Sequence, residues 1–132
     1  MIRLRKITLQ DLDWILDIVN QPSARKASFY GKRITIKGHI KHWKERLKSI
    51  KALAIIYNNT PIGVIKVFKD RSVFIVVDEK YRRRGIAYNS LRRVNFKRAE
   101  IKPNNTASLN LFRKLGLSKV SVIMKRCRIT RL

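Results

Sequence analysis

The 132-residue sequence predicts a single domain of the α/β (α+β) class, in which helices cover both faces of a mixed, mostly antiparallel sheet. Three observations support this class. Two segments before residue 51 space their apolar side chains as amphipathic helices do. Residues 53–77 hold three apolar runs separated by short turn-forming clusters, which is typical of an antiparallel meander. A glycine-containing turn and further helical segments follow the meander.

The N-terminal segment predicts a strand followed by a helix. Residues 2–7 alternate as a strand does, and Thr8 and Asp11 then have the spacing of a helix capping box. Residues 20–33 show no sustained periodicity and predict a loop that contains about one turn of helix. The apolar face of the predicted helix is formed by Leu12, Ile15, Leu16 and Val19.

A second amphipathic helix is predicted after Thr35, which is a suitable N-cap. Its apolar positions step by three or four residues, and its outer face is almost entirely lysine and arginine. The apolar positions are Ile36, Ile40, Trp43, Leu47 and Ile50.

The meander predicts strands over residues 53–57, 62–68 and 73–77. The third run, VFIVV, is apolar on both faces, so we expect it to be the most buried of the three. Further elements follow: a short helix over about residues 86–94, a strand FKRAEI, a helix capped by Asn105 or Thr106 and ended at Gly116, and a closing strand KVSVIMKRCRIT.

Composition restricts the function. Lysine and arginine total 32 against 8 acidic residues, and the net charge of +24 attracts nucleotides, nucleic acids and other anions. Cys127 is the single cysteine, which excludes an internal disulfide and a thiolate-rich metal site. No apolar run approaches the roughly 20 residues that cross a bilayer. We therefore expect a cytoplasmic protein with no metal and no membrane partner.

The stretch YRRRGIAYNS, residues 81–90, predicts a phosphate-binding turn. Backbone amides at the start of a helix lack intrahelical partners and attract phosphate. Gly85 permits a positive φ, Ala87 keeps the next inward position small, and three arginines precede the glycine. The stretch has neither a dinucleotide fingerprint nor a P-loop. The alternative is a plain turn with solvated arginines.

Two motifs give the sequence a family resemblance. Residues 82–87, Arg-Arg-Arg-Gly-Ile-Ala, resemble the acyl-CoA signature of the GNAT acetyltransferase superfamily, (Gln/Arg)-x-x-Gly-x-(Gly/Ala). Residues 103–108 and 111–117 resemble the next motif, which has an Asn, a small pair, an aromatic residue and a Leu-Gly-Phe-like end. The predicted order of elements also matches that fold over nearly the whole chain.

The resemblance implies an acetyltransferase that uses acetyl-CoA and acts by direct attack of an amine on the thioester. It implies main-chain contacts with the pantetheine arm at the end of the third meander strand, pyrophosphate contacts in the turn, and contacts from the later motif near the thiol. The implied cofactor-binding residues are Val76, Val77, Arg82, Arg83, Arg84, Gly85, Ile86, Ala87, Tyr88, Asn105, Ser108 and Phe112.

Catalytic residues are less well defined by the sequence. Many family members have a tyrosine where this chain has Phe112, which carries no proton for the departing thiolate. The candidates for an acid that protonates the thiolate in its place are Tyr88, Tyr81 and Tyr57. The alternative is that the thiolate leaves without a protein acid. Asp78 and Glu79 are the candidate bases, with pairing to the neighbouring arginines as the alternative. His39 and His42 lie on or beside the second helix, where a plain surface role is expected.

The acceptor is also left open. Residues 20–26, the run His39 to Trp43 and residues 61–65 resemble a narrower subgroup, the pseudaminic-acid-type amino-sugar and ribosomal-protein N-terminal acetyltransferases. The positive charge favours an anionic acceptor such as a nucleotide-linked amino sugar. From Gly85 to Asn105 the chain is shorter than this family usually allows, which predicts a shortened helix after the signature. The alternative is a degenerate relative that binds nucleic acid. A monomer and a homodimer are both compatible with the sequence.

Overall fold

The computed structural model describes residues 1–28 and 31–118 of the chain. Within them, four strands form one antiparallel sheet in the order β1-β2-β3-β4, so each strand lies beside its neighbour in the chain. The strands are β1 (Ile2–Lys6), β2 (Lys51–Tyr57), β3 (Thr60–Val67) and β4 (Val73–Val77).

Five α-helices accompany the sheet in the described residues. Three of them connect β1 to β2, and two follow β4. They are α1 (Leu12–Val19), α2 (Pro22–Ala27), α3 (Ile36–Arg46), α4 (Ile86–Leu91) and α5 (Thr106–Lys114). No helix of the described residues is long and apolar enough to cross a membrane.

Helices cover both faces of the sheet, as the sequence predicts. Alternate residues of β2 point to opposite faces: Ala54 and Ile56 pack with α1 and α3, whereas Ile55 packs with α4 and α5. Trp43 fills the first face and is 2% exposed. Phe112 fills the second and is 6% exposed. The sheet therefore separates two apolar layers.

The predicted capping box starts a 3₁₀ turn, Leu9–Asp11, which leads directly into α1. The Thr8 amide donates to Asp11 Oδ2 at 2.8 Å, and the Thr8 hydroxyl accepts from the Gln10 amide. Asp11 also accepts two bonds from the Arg5 guanidinium, both at 2.9 Å, and one from Trp14 Nε1 at 3.0 Å. These donors hold the pKa of the buried Asp11 carboxyl well below its usual range, the Arg5 bonds being the largest cause.

The β2–β3 hairpin turns through two residues, Asn58 and Asn59, which have φ values of 49° and 67°. Positive φ at both central positions is the geometry of a type I′ turn, whose twist suits a two-residue hairpin. Further along β3, an ideal Cβ on Gly63 would lie 2.8 Å from the Val76 carbonyl oxygen. Only glycine therefore lets β3 and β4 approach so closely there.

Three expectations about the helices and strands are corrected. The face of α3 that packs on the sheet carries His39 and Trp43, while Ile36 and Ile40 are 67% and 38% exposed. β4 is one of the two edge strands of the described sheet, and Phe74 within it is 37% exposed, so β4 is not the most buried strand of the meander. The loop predicted at residues 20–33 contains the six-residue helix α2.

The predicted strand FKRAEI is also corrected. It contributes one parallel bridge, between Ser72 and Arg98, and no regular strand. The predicted helix over residues 86–94 is confirmed in position but shorter, since α4 has six residues. Asn105 is the N-cap of α5, and Gly116 follows its end with a φ of 97°. The predicted closing strand KVSVIMKRCRIT and Cys127 lie outside the described residues.

Candidate acyl-coenzyme site

The turn between β4 and α4 has the backbone that its sequence predicts. A single 3₁₀ turn, Glu79–Tyr81, leaves β4 and leads into the arginine run. Gly85 has a φ of 74° and is the N-cap residue of α4. Arg83 also has a positive φ, 64°. Two left-handed residues thus bend the chain sharply before the helix begins.

The amides of residues 85–88 donate to no acceptor in the described part of the chain. Gly85 is exposed, and an ideal Cβ on it would meet only Asn89 Nδ2, at 3.4 Å. The turn therefore offers unpaired N–H groups beside a backbone position that no side chain covers. Such a group of donors matches the oxygens of a diphosphate.

The three arginines of the turn differ in their contacts. Arg82 folds back onto β4, where its Nε and Nη2 atoms donate to the Val77 carbonyl oxygen at 3.1 and 2.9 Å. Arg84 lies over the Tyr81 ring, 5.2 Å from its centroid. Arg83 is exposed and makes no such contact within the described residues. Arg83 is therefore the arginine best placed to meet an anion without breaking an existing bond.

Asp78 and Glu79, the candidate bases, join the end of β4 to the start of α2. Asp78 Oδ1 accepts from Gln21 Nε2 at 3.0 Å and from the Lys80 amide at 3.1 Å. Glu79 Oε2 accepts from the amide of Ser23 at 3.1 Å and from its hydroxyl. The bonds from Ser23 lower the pKa of Glu79.

The arginine run has one indirect contact with this carboxylate network. Arg82 Nη1 donates to the Ser23 hydroxyl at 2.7 Å, and no salt bridge joins Asp78 or Glu79 to an arginine in the described residues. In place of the alternative role, pairing with the neighbouring arginines, these carboxylates accept hydrogen bonds from Gln21 and Ser23 at the start of α2. Gln21 and Ser23, which the sequence analysis did not select, complete the network.

The residues predicted from the later motif lie along α5. The Asn105 side chain caps α5 by accepting from the Ser108 amide at 3.1 Å. Phe112 is buried among Val77, Ile86 and Leu91, and meets Phe96 edge to face at 5.9 Å. The fold therefore brings Phe112 together with the end of β4 and the start of α4.

Tyr88 lies at the opposite end of α5 from Asn105. The Lys114 ammonium is 4.5 Å from the Tyr88 ring centroid, and the Arg92 guanidinium is 5.5 Å from it. Asn105 and Lys114 are separated by the whole of α5, about 13 Å at the helical rise per residue. A cavity of about 350 Å³ beside Tyr88 is also lined by Arg92, Phe96 and Lys114. Because Arg92 and Lys114 line it, this cavity, called the basic groove below, suits an anionic group rather than a thiol.

The GNAT acetyltransferase family matches the sequence over residues 15–117. The chain belongs to this family. Members of the GNAT family use acetyl-CoA, and the unpaired amides at the start of α4 fit the diphosphate of that cosubstrate. The described residues contain no group of His, Cys, Asp and Glu that could hold a metal. The family match does not identify the amino-sugar or ribosomal-protein subgroup.

Solved structures with the same fold include several acetyltransferases. The aminoglycoside acetyltransferase AAC(6')-Ib in complex with coenzyme A superposes with a TM-score of 0.78 at 14% identity, covering 91% of this chain and 86% of that one. A domain from Methanocaldococcus jannaschii gives 0.77 at 24% identity, covering 98% and 93%. An N-acetyltransferase from Staphylococcus aureus gives 0.71 at 24%, covering 88% and 82%. A search of curated proteins found no match.

Four residues of this GNAT chain form a cluster that the sequence analysis did not predict. Lys66 of β3 lies with its ammonium 4.9 Å from the Trp43 ring and 4.8 Å from the Phe74 ring. Its Nζ is 3.3 Å from His42 Nε2. Burial, followed by the charges of Arg46 and Arg25, lowers the pKa of Lys66 to about 8. Loss of solvent, followed by the charge of Lys66, lowers the pKa of His42 to about 4.

His39 has a structural role in the GNAT fold. It is 4% exposed, and its Nε2 lies 2.9 Å from the Leu12 carbonyl oxygen. The expectation of a surface histidine is therefore wrong, because α3 is rotated so that His39 faces α1. Burial lowers its pKa. A groove of about 480 Å³ lies between α1 and α3 and is lined by Leu9, Leu12, Asp13, Leu16, Asp17, Ile36, His39, Ile40 and Lys44.

Proposed function

We propose that the protein is an N-acetyltransferase that transfers the acetyl group of acetyl-CoA to an amine by direct attack. The turn at Gly85 carries this proposal, because the four consecutive amides of residues 85–88 donate to no acceptor in the described residues and Gly85 itself is exposed. The family match supports the same function. We also propose that residues 1–132 form one domain in the cytoplasm, as a monomer or homodimer.

Each chemical part of the coenzyme would contact a different part of the chain. The amides of residues 85–88 would hold the diphosphate, with Arg83 and Arg84 adding positive charge. Main-chain groups of Val76 and Val77 would bind the pantetheine arm. Tyr88 and the groove beside it would receive the anionic nucleotide end, since Arg92 and Lys114 both lie on that ring.

The chemistry requires a neutral amine and a leaving thiolate. The coenzyme supplies an acetyl thioester, which is already activated for attack by an amine. Glu79 is a weak base, because its bonds from Ser23 lower its pKa, and Asp78 shares its position at the end of β4. Phe112 cannot donate a proton, so we propose that the thiolate leaves without a protein acid.

We propose an anionic amine as acceptor, such as a nucleotide-linked amino sugar, with a protein N-terminus as a second candidate. The support is electrostatic: the chain carries 32 basic residues, and only two salt bridges occur among its described residues. Most of this positive charge is thus available to an anion. The solved structure of AAC(6')-Ib with coenzyme A and kanamycin shares the fold at 13% identity. Its acceptor is an aminoglycoside, a cation that this surface would repel.

The same unpaired charge supports a second candidate function, binding of nucleic acid by a GNAT-fold protein without catalysis. Lys37, Lys41 and Lys44 of α3 are all exposed and form a basic helix surface. Phosphate contacts of this kind weaken steeply as salt is added.

Thermal unfolding with free coenzyme A, acetyl-CoA and duplex DNA, each at low and moderate salt, separates the two functions. A ligand at about a hundred times its dissociation constant stabilises the folded chain by roughly 2.7 kcal/mol. We expect both coenzyme forms to raise the unfolding temperature at moderate salt. A rise with DNA alone that disappears at moderate salt would favour the nucleic-acid binder and exclude the transferase.

A further inference from the structure

The amine of Lys66 is in an unusual setting for a basic side chain. It lies between two aromatic rings, those of Trp43 and Phe74, and 3.3 Å from His42 Nε2. No carboxylate forms a salt bridge with it in the described residues. The charged groups that act on it are Arg46 of α3 and Arg25 of α2, both cations. Burial and these two cations favour loss of its proton, and they outweigh the attraction of the two rings for the ammonium.

The position of Lys66 in the sheet brings it close to the proposed thioester site. Lys66 pairs with Phe74 across β3 and β4, and Val64 pairs with Val76. Lys66 and Val76 are thus diagonal neighbours on one face, a relationship that places two Cα atoms about 7–8 Å apart. An extended lysine side chain covers most of that distance, so Nζ could reach a thioester carbonyl bound beside Val76. The Trp43 side of the sheet, which Lys66 faces, also contains Val76.

We propose that Lys66 is a modification site, whose amine accepts the acetyl group from acetyl-CoA bound to the same chain. This inference rests on the proposed function, because it requires the thioester to lie at the end of β4. In the reaction, the neutral Nζ attacks the thioester carbonyl carbon, a C–N bond forms and the C–S bond breaks. Coenzyme A leaves as the thiolate, and the proton released from the nitrogen goes to that thiolate or to water.

The proton equilibrium supports the selectivity of this reaction. Only a neutral amine is a nucleophile, and a lysine with the ordinary value of 10.5 is almost fully protonated at pH 8. The pKa of Lys66 is about 8, so about half of its amine is neutral there. Acetylation would also remove the positive charge of Lys66, and with it the repulsion between Lys66 and the nearby Arg25 and Arg46.

The test is peptide mapping by mass spectrometry after the full-length protein is incubated with acetyl-CoA at pH 7, 8 and 9. We expect Lys66 to be acetylated about tenfold faster than the exposed Lys37, Lys41 and Lys44 of α3, with a rate that rises through pH 8. Lys66→Arg, which keeps the charge and the aliphatic stem, should remove this fast site. Acetylation spread evenly over the exposed lysines would overturn the inference.

A parallel incubation with N,S-diacetylcysteamine, a small acetyl thioester without the nucleotide, tests delivery by the bound coenzyme. We expect at least a tenfold preference for acetyl-CoA at Lys66; equal rates with both donors would overturn intramolecular delivery. Calorimetric titration with free coenzyme A distinguishes the two proposals. Coenzyme binding without Lys66 acetylation would refute this inference alone, whereas absence of binding would refute the proposed function as well.

Discussion

The guanidinium of Arg82 donates two hydrogen bonds to the carbonyl oxygen of Val77, the last residue of β4. A third bond joins the same guanidinium to the Ser23 hydroxyl of α2. One arginine of the signature thus fastens the turn to the strand before it and to a helix from the other side of the sheet. Its role is to hold the shape of the site, and this leaves the neighbouring Arg83 to meet solvent.

This difference predicts opposite effects for two alanine substitutions. Arg82→Ala should lower the free energy of unfolding by about 1.5–3 kcal/mol, because three hydrogen bonds from a charged donor are lost. Arg83→Ala should leave stability nearly unchanged and weaken coenzyme A binding, with a smaller dependence on salt. Urea denaturation and calorimetric titration measure the two quantities. Equal stability losses in both variants would contradict the assignment.

Gly85→Val should reduce coenzyme affinity by at least tenfold. The new side chain stands where the diphosphate would approach the free amides, and valine at a φ of 74° is strained. Gly116→Val is the matched control, because Gly116 has a φ of 97° and nothing lies within 4 Å of an ideal Cβ there. It should suffer similar strain but keep its affinity. If the Gly85 variant folds and binds normally, the coenzyme lies elsewhere.

Phe112→Tyr should destabilise the chain without supplying a catalytic acid. Phe112 is 6% exposed inside the apolar layer under α4 and α5, so a hydroxyl added there is buried. Burying an unpaired hydroxyl lowers stability by about 1–3 kcal/mol. Phe96→Tyr is a suitable control because Phe96 is only partly buried. If Phe112→Tyr has unchanged stability, the added hydroxyl is not buried without a partner, and residue 112 faces the acyl-coenzyme site.

Asp11→Asn should lower stability near pH 7 by about 1.5–3 kcal/mol, because the bidentate bonds from Arg5 lose their charged acceptor. The folded-state pKa of Asp11 is depressed, so its contribution is complete above the unfolded value near 3.8 and is lost as pH falls below that value. The difference between wild type and variant should therefore shrink from pH 4 downward. Asp13→Asn, on an exposed side chain of the same helix, serves as the control.

Local signals in the sequence predicted much of the fold. The capping box at Thr8, the cap at Thr35, the three apolar runs and the glycine turn all correspond to observed features. In each case the residues that determine the feature are only a few positions apart in the sequence. The same holds for Gly85, which adopts a positive φ without strain because glycine has no side chain.

Features set by distant packing were not predicted. The apolar spacing of α3 favoured Ile36 and Ile40 for the core, but the bond between His39 and the Leu12 carbonyl turns His39 inward instead. The apolar run VFIVV is typical of a central strand, yet β4 is an edge strand of the described sheet, because residues 96–101 add only one bridge, between Arg98 and Ser72. The Lys66 cluster joins β3 and β4 to α3, which is separated from them in the chain by β2. No spacing within one segment reveals such a group.

The Asn58–Asn59 turn makes the β2–β3 hairpin the most local pairing in the sheet. Hairpins of this kind form within about 1–10 μs, and β4 can then add across another short connection. β1 pairs with a strand that begins at Lys51, so it must wait for the chain that forms α1, α2 and α3. During synthesis, Ile2–Lys6 therefore leave the ribosome long before their partner exists. Of the three strand pairings in the described sheet, the β1–β2 pairing therefore closes the longest loop and has the largest loop-closure entropy cost.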